Sequence, residues 1–138
     1  MGRLDDVRRT ARTEAGKPLA KAIEFAEAAQ TALCDNRWNA AGLSAVHAGI
    51  SAADAALIAS AGIHSISQDH GAVVLLLDDQ VPEFTATQRR QLGGLLKMKN
   101  RIAYEQRLLT EVEARQLVDH AKRLTRWARG VVGGHPQT

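Results

Sequence analysis

The stretch Ala41-Gly42-Leu43-Ser44-Ala45-Val46-His47-Ala48-Gly49-Ile50-Ser51-Ala52-Ala53-Asp54-Ala55-Ala56-Leu57 narrows the possible folds more than any other part of the chain. An apolar stripe at helical spacing runs through Trp38, Ala41, Gly42, Ala45, Val46, Gly49, Ala53, Ala56 and Leu57, and stops near Gly62. Most of its side chains are tiny. A glycine inside a helix costs about 0.8–1 kcal/mol of propensity, so Gly42 and Gly49 point to a neighbouring backbone packed close against them. The pattern predicts a central helix over 37–62, buried on more than one side.

Four further helices are expected around it. Pro18 suits a first helical turn, and Leu19, Ile23, Ala26, Ala29 and Leu33 follow at helical spacing until Cys34-Asp35-Asn36. Asn36 is the expected N-cap of the central helix. Capping boxes are expected at Ser65-Ile66-Ser67-Gln68, at Thr85-Ala86-Thr87-Gln88 and at Thr110-Glu111-Val112-Glu113. The first opens a helix with Val73, Val74 and Leu77 on one face, broken by Asp78-Asp79-Gln80-Val81-Pro82. The second leads through Leu92, Leu95 and Leu96 into the basic stretch Lys97-Met98-Lys99-Asn100-Arg101. The last helix has the apolar face Ala114, Leu117, Val118, Ala121, Leu124 and Ala128, with Glu111/Arg115 and Asp119/Arg123 at the favourable four-residue spacing. Trp127 and Val131 lie off that face and need cover. The expected architecture is an all-α, antiparallel bundle of about five helices over residues 16–130. A basic N-terminal arm, 1–15, precedes it and a flexible tail, 131–138, follows.

Charge is unevenly spread. Residues 1–21 carry six cations and three acids; residues 22–87 carry one cation, Arg37, and eight acids; residues 88–130 carry eleven cations and four acids. A basic C-terminal third attracts polyanions or neutralises the acidic middle, within one subunit or across a dimer. Cys34 is the lone cysteine, so no internal disulfide is possible and a reducing cytoplasm is the expected setting. The start lacks the apolar core of a signal peptide, and no apolar run reaches the roughly 18 residues expected of a membrane span.

Common catalytic signatures are absent. His47, His64, His70, His120 and His135 include no pair at helical ligand spacing and none near Cys34, so no metal and no cofactor is expected. Ser44, Ser51 and Ser60 lack a nucleophile-elbow context, and there is no phosphate loop. His70 falls in the first turn of its helix and reads as a hydrogen-bonded packing residue. Asp54 interrupts an apolar helix, so it either faces water or meets a cation, with Lys99 or Arg101 as the candidate partner. On the last helix Arg115, Lys122, Arg126 and Arg129 fall near one face, with Arg123 at its edge, as a solvated flank or a phosphate-contacting row.

The alanine-rich helix 41–57, followed by Ser67-x-x-His70-Gly71, then Lys99-Asn100-Arg101-Ile102-Ala103-Tyr104-Glu105 and a final helix from Thr110, resembles the HEPN family over residues 17–130. That resemblance implies a helical bundle that dimerises. It also implies RNA or nucleotide as ligand, and a place in a toxin–antitoxin or defence system beside an antitoxin or nucleotidyltransferase-type partner. Active members are metal-independent ribonucleases with an arginine, a polar follower and a histidine four to six residues on. Here Lys99-Asn100 stands for the arginine and its follower, and Tyr104 takes the histidine position. Counting from Arg101 instead, the histidine would fall at 106, 107 or 108, where the chain has Gln106, Arg107 and Leu108. Histidine exchanges protons near neutral pH and a phenol does not, so the resemblance implies binding with weak or no cleavage. The alternative is an active ribonuclease toxin using a variant motif. The candidate RNA- or phosphate-binding residues are Lys97, Lys99, Asn100, Arg101 and Tyr104, with Asp54 and His70 in support.

Overall fold

The computed structural model describes residues 7–66 and 69–134, without the side chain of His70. Ser67, Gln68 and His135 of the sequence reading, with residues 1–6 and the end of the tail, lie outside the described residues. The fold is an all-α bundle of α1 (Gly16–Cys34), α2 (Trp38–Ala61), α3 (His70–Gln80), α4 (Ala86–Tyr104) and α5 (Glu111–Gly134). Two three-residue strands, β1 (Val7–Arg9) and β2 (Ile63–Ser65), and a 3-10 turn, Arg12–Ala15, complete it.

The small-residue helix is the centre. α2 packs chiefly on α1 and α5 and also meets α4 and α3. Its buried residues are not confined to the predicted stripe: Ala48, Ala52, Ala55 and Ala59 are fully buried on its other sides. The two glycines make room for leucine and isoleucine side chains, in place of the expected neighbouring backbone. A Cβ on Gly49 would lie 2.6 Å from Leu95 Cδ1, and one on Gly42 would collide with Leu109. In length and composition α2 also passes as a bilayer span, contrary to the sequence expectation, but 72% of its most apolar 18-residue window is buried inside the bundle. Its apolar surface is spent on neighbouring helices.

Local signals set the helix ends. Thr85 N–H donates to Gln88 Oε1 at 2.9 Å, as its capping box predicts. At α5, Thr110 N–H donates to Glu113 Oε1 at 2.9 Å and Glu113 N–H donates to Thr110 Oγ1 at 3.1 Å. Arg107 also donates to Glu113, at 2.8 Å, and these donors hold its carboxyl down at about 2. Thr110→Ala is expected to cost about 1 kcal/mol in urea unfolding, with Thr110→Ser restoring most of it.

Two caps differ from expectation. Asn36 does not cap α2; with φ of 59° it is the left-handed residue that closes α1, a conformation its short polar side chain tolerates. Ser65 does not cap α3 but lies in β2, and α3 is capped by Asp69, whose side chain accepts from Gly71 N–H at 2.9 Å.

Part of the expected basic arm is a strand, Val7–Arg9. β1 pairs antiparallel with β2, setting Val7 opposite Ser65, Arg8 opposite His64 and Arg9 opposite Ile63. Thr10 N–H donates to the carbonyl of Gly62, whose φ of 66° ends α2 and turns the chain back towards β1. Trp127 and Val131 are likewise covered from within the chain. Val131 is 3% exposed, and Trp127 packs edge-on against Phe84 and donates its indole N–H to the Glu83 carbonyl at 3.1 Å.

Candidate functional site

α4 ends in the five residues singled out above, and helical geometry sorts them onto different faces. Gly93, Lys97, Asn100 and Tyr104 follow one another at intervals of four, three and four, which aligns them along one side. Gly93, Leu96, Lys97 and Asn100 line one wall of an open groove of about 350 Å³; Gly71 and Val74 of α3 form the other. At Gly93 the groove is open, since a Cβ there would meet no atom within 4 Å. Tyr104 stands one turn beyond Asn100 and is 83% exposed. His70 is the first residue of α3, so its backbone adjoins the groove.

The other two cations do not share this arrangement. Arg101 stands at the edge of the face and is drawn aside, pairing with Glu105 at 3.3 Å and donating to Met98 Sδ at 3.6 Å. Lys99 is about 200° round the helix from Lys97, half-buried on the side that carries Leu95 and Ile102. The structure therefore brings together Lys97, Asn100 and Tyr104, and not the full cluster.

On the opposite edge of α4 a small pocket of about 140 Å³ opens towards α5, lined by Gly94, Met98, Glu113, Gln116, Leu117 and His120. Burial lowers the His120 pKa below the ordinary imidazole value, and the neighbouring Asp119 opposes that shift. Its Nδ1 is buried without a hydrogen-bond partner among the described residues. The basic row on α5 is partly occupied: Arg115 pairs with Glu111 at 2.8 Å, Arg123 pairs with Asp119 at 2.9 Å, and Lys122 donates to Gln30 at 3.2 Å.

Asp54 belongs to neither pocket. Gly49 of α2 faces α4, and Asp54 is about 140° round the helix from it, towards α1 and the N-terminal segment. The cation beside it is Lys21 of α1, in place of the expected Lys99 or Arg101. Burial pushes the Asp54 carboxyl up to about 6, and the charge of Lys21 only partly opposes this. Asp54 lies in an open cleft of about 360 Å³ that also carries Glu14, Lys17 and His64. His64 Nδ1 and Thr10 Oγ1 form a hydrogen bond at 2.8 Å across the cleft wall. Sequence reasoning missed this cleft because its residues come from separate segments that no local pattern links; the one visible signal was a lone acid in an apolar helix.

Among the described residues no three of histidine, cysteine, aspartate and glutamate gather as metal ligands. No protein-family model matches the chain, and no curated protein matches it either.

Proposed function

We propose that this protein binds single-stranded RNA along the C-terminal half of α4, as a HEPN-like module with weak or no cleavage. The observation that carries the reading is the alignment of Lys97, Asn100 and the exposed ring of Tyr104 on one helix face beside an open groove. Lys97 has no ion-pair partner among the described residues, so its ammonium is available to a phosphate. Asn100 supplies hydrogen bonds to phosphate or sugar, and Tyr104 offers a stacking face for a base. Lys99 and Arg101 contribute long-range attraction more than contact. The resemblance to HEPN domains supports a homodimer acting in a toxin–antitoxin or defence system, with an antitoxin or nucleotidyltransferase-type partner.

Titration of labelled single-stranded RNA tests this. Base stacking is worth about 1–3 kcal/mol, so Tyr104→Ala is expected to weaken binding roughly 5- to 150-fold, while Tyr104→Phe retains most affinity. Lys97→Ala is expected to weaken binding and flatten its salt dependence, and Arg101→Ala to do less. Wild-type affinity in both Tyr104→Ala and Lys97→Ala would remove the groove from the account.

A second reading, metal-free RNA cleavage, is favoured by the position of His120. It lies against Gly94 in a pocket that shares Met98 with the Arg101 contact, which sets an imidazole on α4 about two turns before Arg101. Product gels decide between the two. RNA cutting in chelator that is lost in His120→Ala but kept in Tyr104→Phe would make cleavage the better reading.

A further inference from the structure

The cleft at Asp54 has features that RNA binding at α4 does not use. Its two free charges are opposite in sign and not joined. Asp54 makes no ion pair or hydrogen bond among the described residues, and Lys21 acts on it only through its field. Lys17 is already engaged, paired with Glu14 at 2.9 Å. Pro18 and Ile58 supply apolar wall between the charged groups, and Thr10 with His64 closes one side. A half-buried carboxylate without a partner is costly, and a ligand cation would relieve it. A simple cation would also meet the repulsion of Lys21. A ligand carrying both charges meets neither difficulty.

We propose that this cleft binds a free α-amino acid with an apolar side chain. Its ammonium group pairs with Asp54, its carboxylate with Lys21, and its side chain lies against Pro18 and Ile58. The volume of about 360 Å³ is at the small end of ligand pockets and fits a molecule of that size. The groups that face Asp54 are Lys21 and Lys17 of α1, Glu14 of the 3-10 turn and His64 of β2. Binding of the ammonium needs Asp54 ionised, so affinity is expected to fall as the pH drops below about 6.

The test is titration of the full chain with leucine, followed by calorimetry and by backbone amide shifts. Two truncated probes accompany it: 3-methylbutylamine, which lacks the carboxylate, and 4-methylpentanoate, which lacks the ammonium. Leucine is expected to saturate, moving the amides of Thr10, Ile58 and His64, while each truncated probe binds roughly 10-fold or more weakly. Asp54→Asn and Lys21→Gln are each expected to weaken leucine by a similar factor. No saturation up to about 20 mM leucine, or equal binding by Asp54→Asn, would overturn the proposal. The amine binding as tightly as leucine would also overturn it, and would make the cleft an organic-cation site.

Discussion

Replacing Asp54 with asparagine is expected to raise the unfolding free energy at about pH 7 by about 2–3 kcal/mol, a gain that disappears as the pH falls towards about 4. The carboxyl titrates at an ordinary 3.8 when unfolded and at about 6 in the folded chain, chiefly because α2 holds it out of water. Below 3.8 both states are protonated and the residue is neutral to stability. Between those values the unfolded chain has released a proton that the folded chain keeps, so wild-type stability falls as pH rises. Above about 6 both states are ionised and the full cost remains. Asparagine keeps the shape and removes the charge. Urea unfolding of both proteins across this pH range measures the difference directly. Parallel curves with no pH-dependent gap would mean that water or Lys21 already compensates the charge in the folded state. The variant should be the better-folded protein at neutral pH, so any loss of ligand binding in it is not a loss of structure.

The parts of the fold that could be read from the sequence are those decided within one or two turns of helix. The boxes at Thr85 and Thr110 close over three residues, and the α5 face is set by a period that needs no partner. Asn36 shows where local reading fails, because asparagine suits both an N-cap and a left-handed closing residue. Which one it becomes depends on how tightly α1 turns into α2. β1 and β2 were not visible, since three residues show no period and their pairing joins positions more than fifty residues apart. Trp127 looked uncovered because its cover, Phe84 and the Glu83 carbonyl, comes from the α3–α4 connection.

The site divides in the same way. The alignment of Lys97, Asn100 and Tyr104, and the turning away of Lys99, follow from helical pitch alone once α4 is known to continue through Tyr104. That Arg101 turns to Glu105 and Met98 depends on side-chain partners. Asp54 could be recognised as unusual, but its neighbour could not be named. Its direction from α2 depends on which helix Gly49 and Gly42 are pressed against.

The contact of α2 with α4 should show the largest single-residue cost. Leu95 is fully buried, and its Cδ1 occupies the space where a side chain at Gly49 would begin. Leu95→Ala is expected to lose about 2–5 kcal/mol, a large part of the roughly 5–15 kcal/mol that holds a domain of this size. Gly49→Ala alone brings about 1 kcal/mol of helix propensity against roughly 1–3 kcal/mol of overpacking, because the Leu95 end must swing away. In the double variant the new methyl enters the space that Leu95 vacates. Its steric cost vanishes and its propensity gain remains. The pair should therefore be about 1–3 kcal/mol more stable than the two single changes summed. Gly130→Ala is the control: a Cβ there meets no atom within 4 Å, so it should stabilise α5 by up to about 1 kcal/mol and add to either change without coupling. Strict additivity between positions 49 and 95 would mean that the two helices do not meet through this glycine, and the close packing inferred from the small residues of α2 would lose its main support.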